Sequence, residues 1–553
     1  MSQLRGADIL AQSLAQAGIR EIFSLSGNHI MPVYDAALEA RLRITHVRYE
    51  GAAVHMADAW GRLTGEVGVA LLTGGPGHAN GVGALYTALA SESPVLLLSG
   101  HAPLDEVGCG SFQEMRQAEM AAPVTKASWT ASSIETLGGD IARACRLARS
   151  GRPGPVHLSL PFDVLERSSD HGERLLAPPE AFAPTVNPLD RKTADAVRAL
   201  LKTAKRPQIL LGPVMAHAPA AGLAAELTAA AGVPAVCMEG PRGLNDAGLG
   251  AFAGMLAKAD VIVLIGKCPD FSLRFGRAPA IAADCRFAVI DPEADGLKRA
   301  VANLGAARVV LSAQADTVAA VRLLIESAPR AAAGSAWRQE VADAMVFRPA
   351  DWSTLAADDS QPVHPLAVGR AVQEVLDTSP ESVLIADGGE FSQWVQASAR
   401  VPARLINGPG GSIGSAVPFA LAARMARPAA PVVAAMGDGG FGYHLMEFDT
   451  AVRAGLPFVV VVGNDACWNA EHQIQLRTYG RDRTHGCELL GTRYDLAAAA
   501  LGGHGELVTR ASGLRPALQR ALASGKPACV NVMIQRLAAP VFNAAAPAAA
   551  AAH

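Results

Sequence analysis

Residues 431–465, PVVAAMGDGGFGYHLMEFDTAVRAGLPFVVVVGND, decide how the chain is read. PVVAAM and PFVVVVG are short and apolar on both faces, the pattern of strands buried inside a parallel sheet. The helix-like HLMEFDTAVRAG between them completes a strand–helix–strand crossover. Gly437-Asp438-Gly439-Gly440-Phe441-Gly442 makes the sharp turn from the first strand into that helix. Its glycines let the backbone approach a diphosphate, and the helix N-terminus offers free N–H groups and a favourable dipole. The same six residues satisfy G-x-G-x-x-G, which alone is a weak dinucleotide fingerprint. Asp438 argues for a different use, because a carboxylate in the turn repels a bare pyrophosphate unless a cation stands between them. Asn464-Asp465 follows at the end of the next strand, 27 positions after Asp438. Adjacent parallel strands lie ~4.8 Å apart, so the two loops can share one ion. Mg2+ takes about six oxygens, commonly one or two carboxylates with substrate phosphates. Asp438, Asp465, a backbone carbonyl and two diphosphate oxygens meet that demand.

The same alternation of strands and helices occurs twice more. REIFSL (20–25), RITHVR (43–48), VGVALLT (67–73) and PVLLLSG (94–100) alternate with helical patterns around 31–41, 51–63 and 79–91. RPQILLG (206–212), VPAVCM (233–238), ADVIVLIG (259–266) and RFAVID (286–291) form a second block, and ESVLIADGG (381–389) opens the third. The fold expected is α/β: three consecutive parallel-sheet domains over 1–170, 190–335 and 360–537. A Pro-rich linker (167–195) and an Ala/Ser/Pro-containing stretch (328–362) separate them. The Ala/Pro-rich tail 538–553 reads as disordered. In open sheets of this kind ligands sit at the carboxyl ends of strands, so the loops there carry the functional reading.

Composition removes several function classes. The chain has 553 residues, 48 Lys+Arg against 51 Asp+Glu and a formal charge of -3. Without a basic stripe, a nucleic-acid partner is not expected. The apolar runs are strand-length, short of the ~20 residues that span a bilayer, so no membrane partner is expected either. The N-terminal MSQLRGADILAQSLAQAG lacks the apolar core of a signal peptide. Eight scattered cysteines with no C-x-x-C suit isolated thiols in a reducing compartment, and the location expected is cytoplasmic.

GDG followed by about thirty residues and an Asn pair resembles the signature of thiamine diphosphate-dependent enzymes. Here Asp465 stands where that family has the second Asn, keeping an oxygen and adding a charge. The resemblance implies that Gly437, Asp438, Gly439 and Gly440 bind the diphosphate. Asp438, Asp465 and the backbone carbonyl of Cys467 would then ligate Mg2+. GNDACW (463–468) is especially similar to 2-hydroxyacyl-CoA lyases. A thiamine cofactor also needs one Glu in a dry place, because its aminopyrimidine deprotonates C2 once a carboxylic acid bonds the ring nitrogen. In RYEGAAVHMADAWGR (48–62), Glu50 follows a strand and opens a small-residue helix. An isolated Glu in a first turn usually compensates the helix dipole; the resemblance gives it the activating role. TGGPGHAN (73–80) looks like the loop beside the pyrimidine ring, with Thr73 and Asn80 as polar contacts. In GGSIG (410–414), Ile413 occupies the place of the apolar wedge that bends the cofactor.

The similarity runs over nearly the whole chain and is closest to the acetolactate synthase, benzaldehyde lyase and 2-hydroxyacyl-CoA lyase group. It implies pyrimidine-binding, middle and diphosphate-binding domains in that order. It also implies a homodimer or homotetramer in which Glu50 of one subunit faces the Asp438 domain of another. SLSGNHIMPVYDA (24–36) places His29, beside Asn28, where benzaldehyde lyase has a catalytic His able to relay a proton. Gln113 in CGSFQEM (109–115) matches a Gln near the thiazolium, with Phe112 lining the pocket and Trp468 forming its far wall. GKCPDFSLRFG (266–276) lies where relatives hold FAD or an ADP-containing group, but it carries no strong nucleotide fingerprint. The expected activity is a thiamine diphosphate- and Mg2+-dependent carbon–carbon lyase or carboligase. It would act on 2-keto acids, 2-hydroxy ketones or aldehydes through a C2 ylid and an enamine, with Glu50, His29 and Gln113 catalytic. The alternatives are a 2-hydroxyacyl-CoA or oxalyl-CoA lyase, more distantly an NAD-dependent oxidoreductase, and a thiamine-fold regulator without catalysis. No basic C-terminal segment is present to clasp CoA phosphates.

Overall fold

The computed structural model describes residues 3–327 and 336–542. Three parallel sheets follow one another along the chain. The first runs, edge to edge, Arg43–His46, Glu21–Ser24, Gly68–Leu72, Val95–His101, Val156–Pro161, Ala127–Thr130. The third runs Ala403–Ile406, Val383–Ala386, Val432–Gly437, Val459–Asn464, Ala528–Met533, His504–Val508. Numbered within each domain, both have the order 2-1-3-4-6-5. The turn after Gly68–Leu72 in the first domain is therefore the topological counterpart of the turn after Val432–Gly437 in the third. The five-stranded middle sheet runs Ala235–Cys237, Pro207–Leu211, Val261–Ile265, Arg286–Asp291, Val309–Gln314.

The central strands of the outer sheets are buried along their whole length, as their β-branched, two-faced composition demands. The sequence reading omitted two buried interior strands, Val156–Pro161 and Ala528–Met533, as well as half-buried edge strands. Ala127–Thr130 and His504–Val508, for example, carry only a weak apolar signal.

The first and third domains meet through two alanine-rich helices, Glu50–Thr64 and Ala416–Ala426. Ala52, Ala53, Ala57, Ala416, Ala420 and Ala423 are fully buried in one shared cluster, and small side chains are what allow two backbones to approach so closely. The seam also holds a buried ion pair: Arg62 donates to Asp58 at 2.6 and 2.7 Å and, from its third nitrogen, to the carbonyl of Ile406 at 2.7 Å. Removing either partner would strand a charge in the interface.

Three segments read as connectors are packed. Within the linker, Phe182 is buried in the first domain's core, and Arg149 donates to its carbonyl at 2.8 Å. In the stretch after 335, helix Ala336–Val346 lays Trp337 on the middle sheet, its Nε1 donating to the Pro207 carbonyl at 2.8 Å. The tail holds to the body through Phe542: Trp394 Nε1 donates to the Ala538 carbonyl at 2.9 Å, and Phe542 packs edge-on against Trp352. A buried aromatic outweighs the Ala/Pro composition that suggested disorder from 538. The rest of the tail lies outside the described residues.

Candidate active site

The carboxyl ends of the third sheet surround a cleft of about 250 Å³. Strand Val432–Gly437 delivers the glycine turn and helix Asp438–His444 starts at once behind it. The next strand, paired with it in register at Gly437 and Gly463, ends on Asn464 and so brings Asp465 alongside. Asp438 is almost fully buried. The backbone N–H groups of Gly439, Cys467 and Ala466 lie close enough to hold its pKa down in part, while Oδ2 meets no donor among the described residues. Burial raises it to about 6. Burial, then the adjacent charge of Asp438, raises Asp465 to about 7. Two crowded carboxylates with an orphaned oxygen, in a groove of glycines, form a donor set suited to a hard divalent cation.

Asn464 does not face this cleft. Its amide donates inward to the carbonyl of Thr492 and to Asn531 Oδ1, both at 3.1 Å, and its oxygen accepts Ala466 N–H at 3.2 Å. That bracing carries the chain through Ala466, whose φ of 53° is left-handed, and Arg536 caps the carbonyl of Asp465 at 2.9 Å. Cys467 and Trp468 line the cleft next to Asp465. A methyl group on Gly439 would strike the Trp468 ring at 2.5 Å, so the ring lies directly on the turn. Ile413 stands over Gly388, where an added methyl would meet its Cγ2 at 2.6 Å.

One set of cleft residues was missed from sequence. Strand Val383–Ala386 ends in Asp387-Gly388-Gly389, then helix Glu390–Ser398. This strand–DGG–helix unit repeats the pattern of 432–444, and the repetition was visible in the chain. Gly388, Gly389 and Glu390 line the same cleft. Asp387 beneath them, raised by burial to about 7, accepts Gly414 N–H at 2.7 Å and so fixes the loop that carries Ile413.

The other half of the predicted site gathers at the first sheet. Glu50 is buried at the first position of helix Glu50–Thr64, and Asn80 Nδ2 donates to its Oε2 at 3.1 Å. Asn80 lies within helix Pro76–Ala90 and not in the glycine loop, so it faces Glu50 across the helix start. His29, in the 3-10 turn Asn28–Ile30, is buried with Nδ1 3.4 Å from Thr73 Oγ1, and its ring stacks on Phe112 at 6.0 Å. Burial lowers the imidazole below its usual range. Asn28 and Phe112 are exposed. Gln113 has a left-handed φ of 58° and its backbone lies against Gly75, where a methyl would meet the Gln113 carbonyl oxygen at 2.7 Å. That turn is held from below by Gln117, unmarked in the sequence reading. It accepts Gly75 N–H at 2.8 Å and donates to the Gly100 carbonyl at 3.0 Å and to Ser159 Oγ at 3.2 Å.

Within one chain the two halves stay apart. The residues lining the Asp438 cleft come from the middle and third domains, with none from the first. Arg152 of the first domain reaches the middle domain, donating to the Gly266 carbonyl at 3.0 Å. That guanidinium pairs with Glu92, with Asp291 at 2.7 Å and with Glu293 at 3.1 Å.

Comparison with known proteins agrees with this geometry. Residues 4–120 match the family model for the thiamine pyrophosphate enzyme N-terminal TPP binding domain, and residues 387–532 match that for the C-terminal TPP binding domain. The chain is 34% identical over 544 residues to a probable acetolactate synthase of Mycobacterium bovis (strain ATCC BAA-935 / AF2122/97), covering 95% of each. It is 31% identical over 594 residues to 2-hydroxyacyl-CoA lyase 2 of Homo sapiens, covering 96% of this chain and 90% of the relative. With both matched domains carrying the glycine turn and the glutamate helix described above, the chain belongs to the thiamine pyrophosphate enzymes, as an enzyme of the acetolactate synthase and 2-hydroxyacyl-CoA lyase type.

Proposed function

We propose that this enzyme is a Mg2+-dependent carbon–carbon lyase or carboligase acting on 2-keto acids, 2-hydroxy ketones or aldehydes. The observation that carries the metal is the pairing of buried Asp438 with half-buried Asp465, with Oδ2 of Asp438 unpartnered among the described residues. These two carboxylates, with the Cys467 carbonyl, would hold Mg2+, and Gly437, Gly439 and Gly440 would admit the diphosphate. Thiamine diphosphate, when bound, supplies a nucleophilic carbon and an electron sink. The protein's part is to bind, orient and move protons. Asn80 engages Oε2 of Glu50, which leaves Oε1 to share a proton with the aminopyrimidine nitrogen. Thr73 lies beside that carboxylate, and Ile413 presses from the opposite domain. His29, buried and held neutral, takes or returns a proton at the substrate oxygen, and Gln113 donates to that oxygen. Phe112, Asn28 and Trp468 bound the space for the acyl group.

The separation of the two halves within a chain supports a homodimer, or a dimer of dimers, that brings Glu50 of one subunit to Asp438 of the other. Exposed Tyr49, Tyr86, Tyr443 and Met446 on the elements carrying both halves give such an interface apolar area. Eight unpaired cysteines support a reducing, cytoplasmic setting.

A second reading, cleavage of 2-hydroxyacyl-CoA thioesters, is favoured by GNDACW and by the human relative's activity. Reconstitution of apo-enzyme with thiamine diphosphate and Mg2+ against 2-keto acids, acyloins and acyl-CoA thioesters separates the two. Turnover of the thioesters alone selects the second reading, and no turnover of any class defeats both.

A further inference from the structure

Three residues, Val47, Arg48 and Tyr49, connect strand Arg43–His46 to the helix that Glu50 opens. The N–H groups of Arg48 and Tyr49 precede the helix and have no partner within it. That of Arg48 is claimed by the third domain of the same chain. Glu447, only 1% exposed, opens helix Glu447–Arg453. Its two oxygens accept Arg48 N–H at 3.1 and 3.2 Å, with the Tyr49 N–H close by. Thr450 Oγ1 orients that carboxylate at 2.6 Å. At the far end of the helix, Arg453 Nη2 donates to the His46 carbonyl at 2.8 Å. One short helix thus grips the connector on both sides using side chains alone.

We propose that Glu447 is a positioning residue for the activating glutamate: its carboxylate, from the diphosphate-binding domain, fixes the Arg48–Tyr49 backbone and hence the place and direction of Glu50. The inference rests on the role given to Glu50 above. Glu50 stands two residues after the clamped Arg48 amide, so its backbone has little freedom to move without breaking that contact. Thr450 and Arg453 complete the clamp, and neither is among the residues that line the Asp438 cleft. Being mounted on the element that follows the Asp438 turn, the clamp sets Glu50 relative to the third domain and not only to its own sheet.

The test uses Glu447→Gln, which keeps the shape but loses the charge and one of two acceptors. Amide hydrogen exchange on the apo-protein reads the clamp directly. A peptide spanning 45–52 should exchange faster in the variant, while the core of the third sheet stays protected. With thiamine diphosphate and Mg2+ added, exchange of the cofactor C2 proton, followed by NMR after acid quench, should slow by about 10- to 100-fold, the scale of a small misplacement of a catalytic group. Cofactor Kd should move by less than about threefold, below a kcal/mol. C2 exchange within about twofold of wild type, or a loss of cofactor affinity in proportion to a fall in Tm, would overturn the proposal, because either leaves Glu447 merely structural. Should Glu447→Gln not fold, Thr450→Val, which removes the orienting hydroxyl, is judged by the same two measurements. Glu50→Ala serves as the reference: if it leaves C2 exchange unchanged, the reading of Glu50 itself fails, whatever Glu447 does.

Discussion

Asp465 stands against Asp438 at the ends of two adjacent parallel strands, and the pair is electrostatically unfavourable until a cation joins it. Both carboxyls titrate above 3.8, their ordinary value, at about 6 for Asp438 and about 7 for Asp465. Raised folded values mean that the pair's contribution to stability is fully present below pH 3.8 and is lost as pH rises through 6 and 7. A metal that binds the ionised pair acts in the opposite sense, because protons must leave for it to enter. Mg2+ should therefore raise Tm little near pH 5 and much more near pH 8. Its affinity, measured by calorimetry in buffers of different ionisation enthalpy, should climb across that interval with proton release. Equal Mg2+ shifts at both pH values would remove the pair as the ligand set.

His29 gives a prediction of opposite sign. Burial lowers its pKa, so it stays neutral to a lower pH than a free imidazole. The acid limb of a kcat/KM profile should accordingly fall below the usual histidine range of about 6.5. His29→Ala should cost about 10²–10⁴-fold in kcat and abolish that limb. Loss confined to KM would make His29 a contact and not a proton carrier.

Much of this was legible in the chain because most central strands and their turns leave dense local signals. GDGG and ND fit what a diphosphate and a metal would require, and VVVV can only be buried. The edge strands Ala127–Thr130 and His504–Val508 were hidden because half-exposed strands tolerate mixed residues. Gln117 and Glu447 were invisible for a different reason. Each acts on backbone N–H groups that are distant in sequence, 42 positions away for Gly75 and 399 for Arg48, and nothing local marks a side chain for such a task. Asn464 shows the converse, since it looked like part of an oxygen-rich corner and proved to be the brace behind it.

That brace is testable. Asn464 is fully buried and makes three bonds. Asn464→Ala would take a partner from Asn531 Oδ1 and from the Ala466 N–H, at about 1–3 kcal/mol for each group left unsatisfied, while the Thr492 carbonyl keeps Asn531 Nδ2 at 3.0 Å. The fall in Tm should be accompanied by weaker Mg2+ binding, because the left-handed turn at Ala466 positions Asp465. A stability loss with unchanged Mg2+ affinity would show that the turn holds without it.

The proposed division of the site between subunits gives the most decisive measurement. If Glu50 of one copy meets Asp438 of another, a mixed dimer of Glu50→Ala and Asp438→Ala subunits has one site with both lesions and one with neither. Random reassembly gives half mixed dimers, each with one of two sites intact, so two nearly inactive proteins should recover about a quarter of wild-type activity in an isologous dimer. If instead both residues served the same site from a single chain, every site in the mixture would carry a lesion and none would recover. Activity after co-dissociation and reassembly, compared with each variant treated alone, distinguishes the two arrangements. The absence of first-domain residues around Asp438 in the single chain favours recovery.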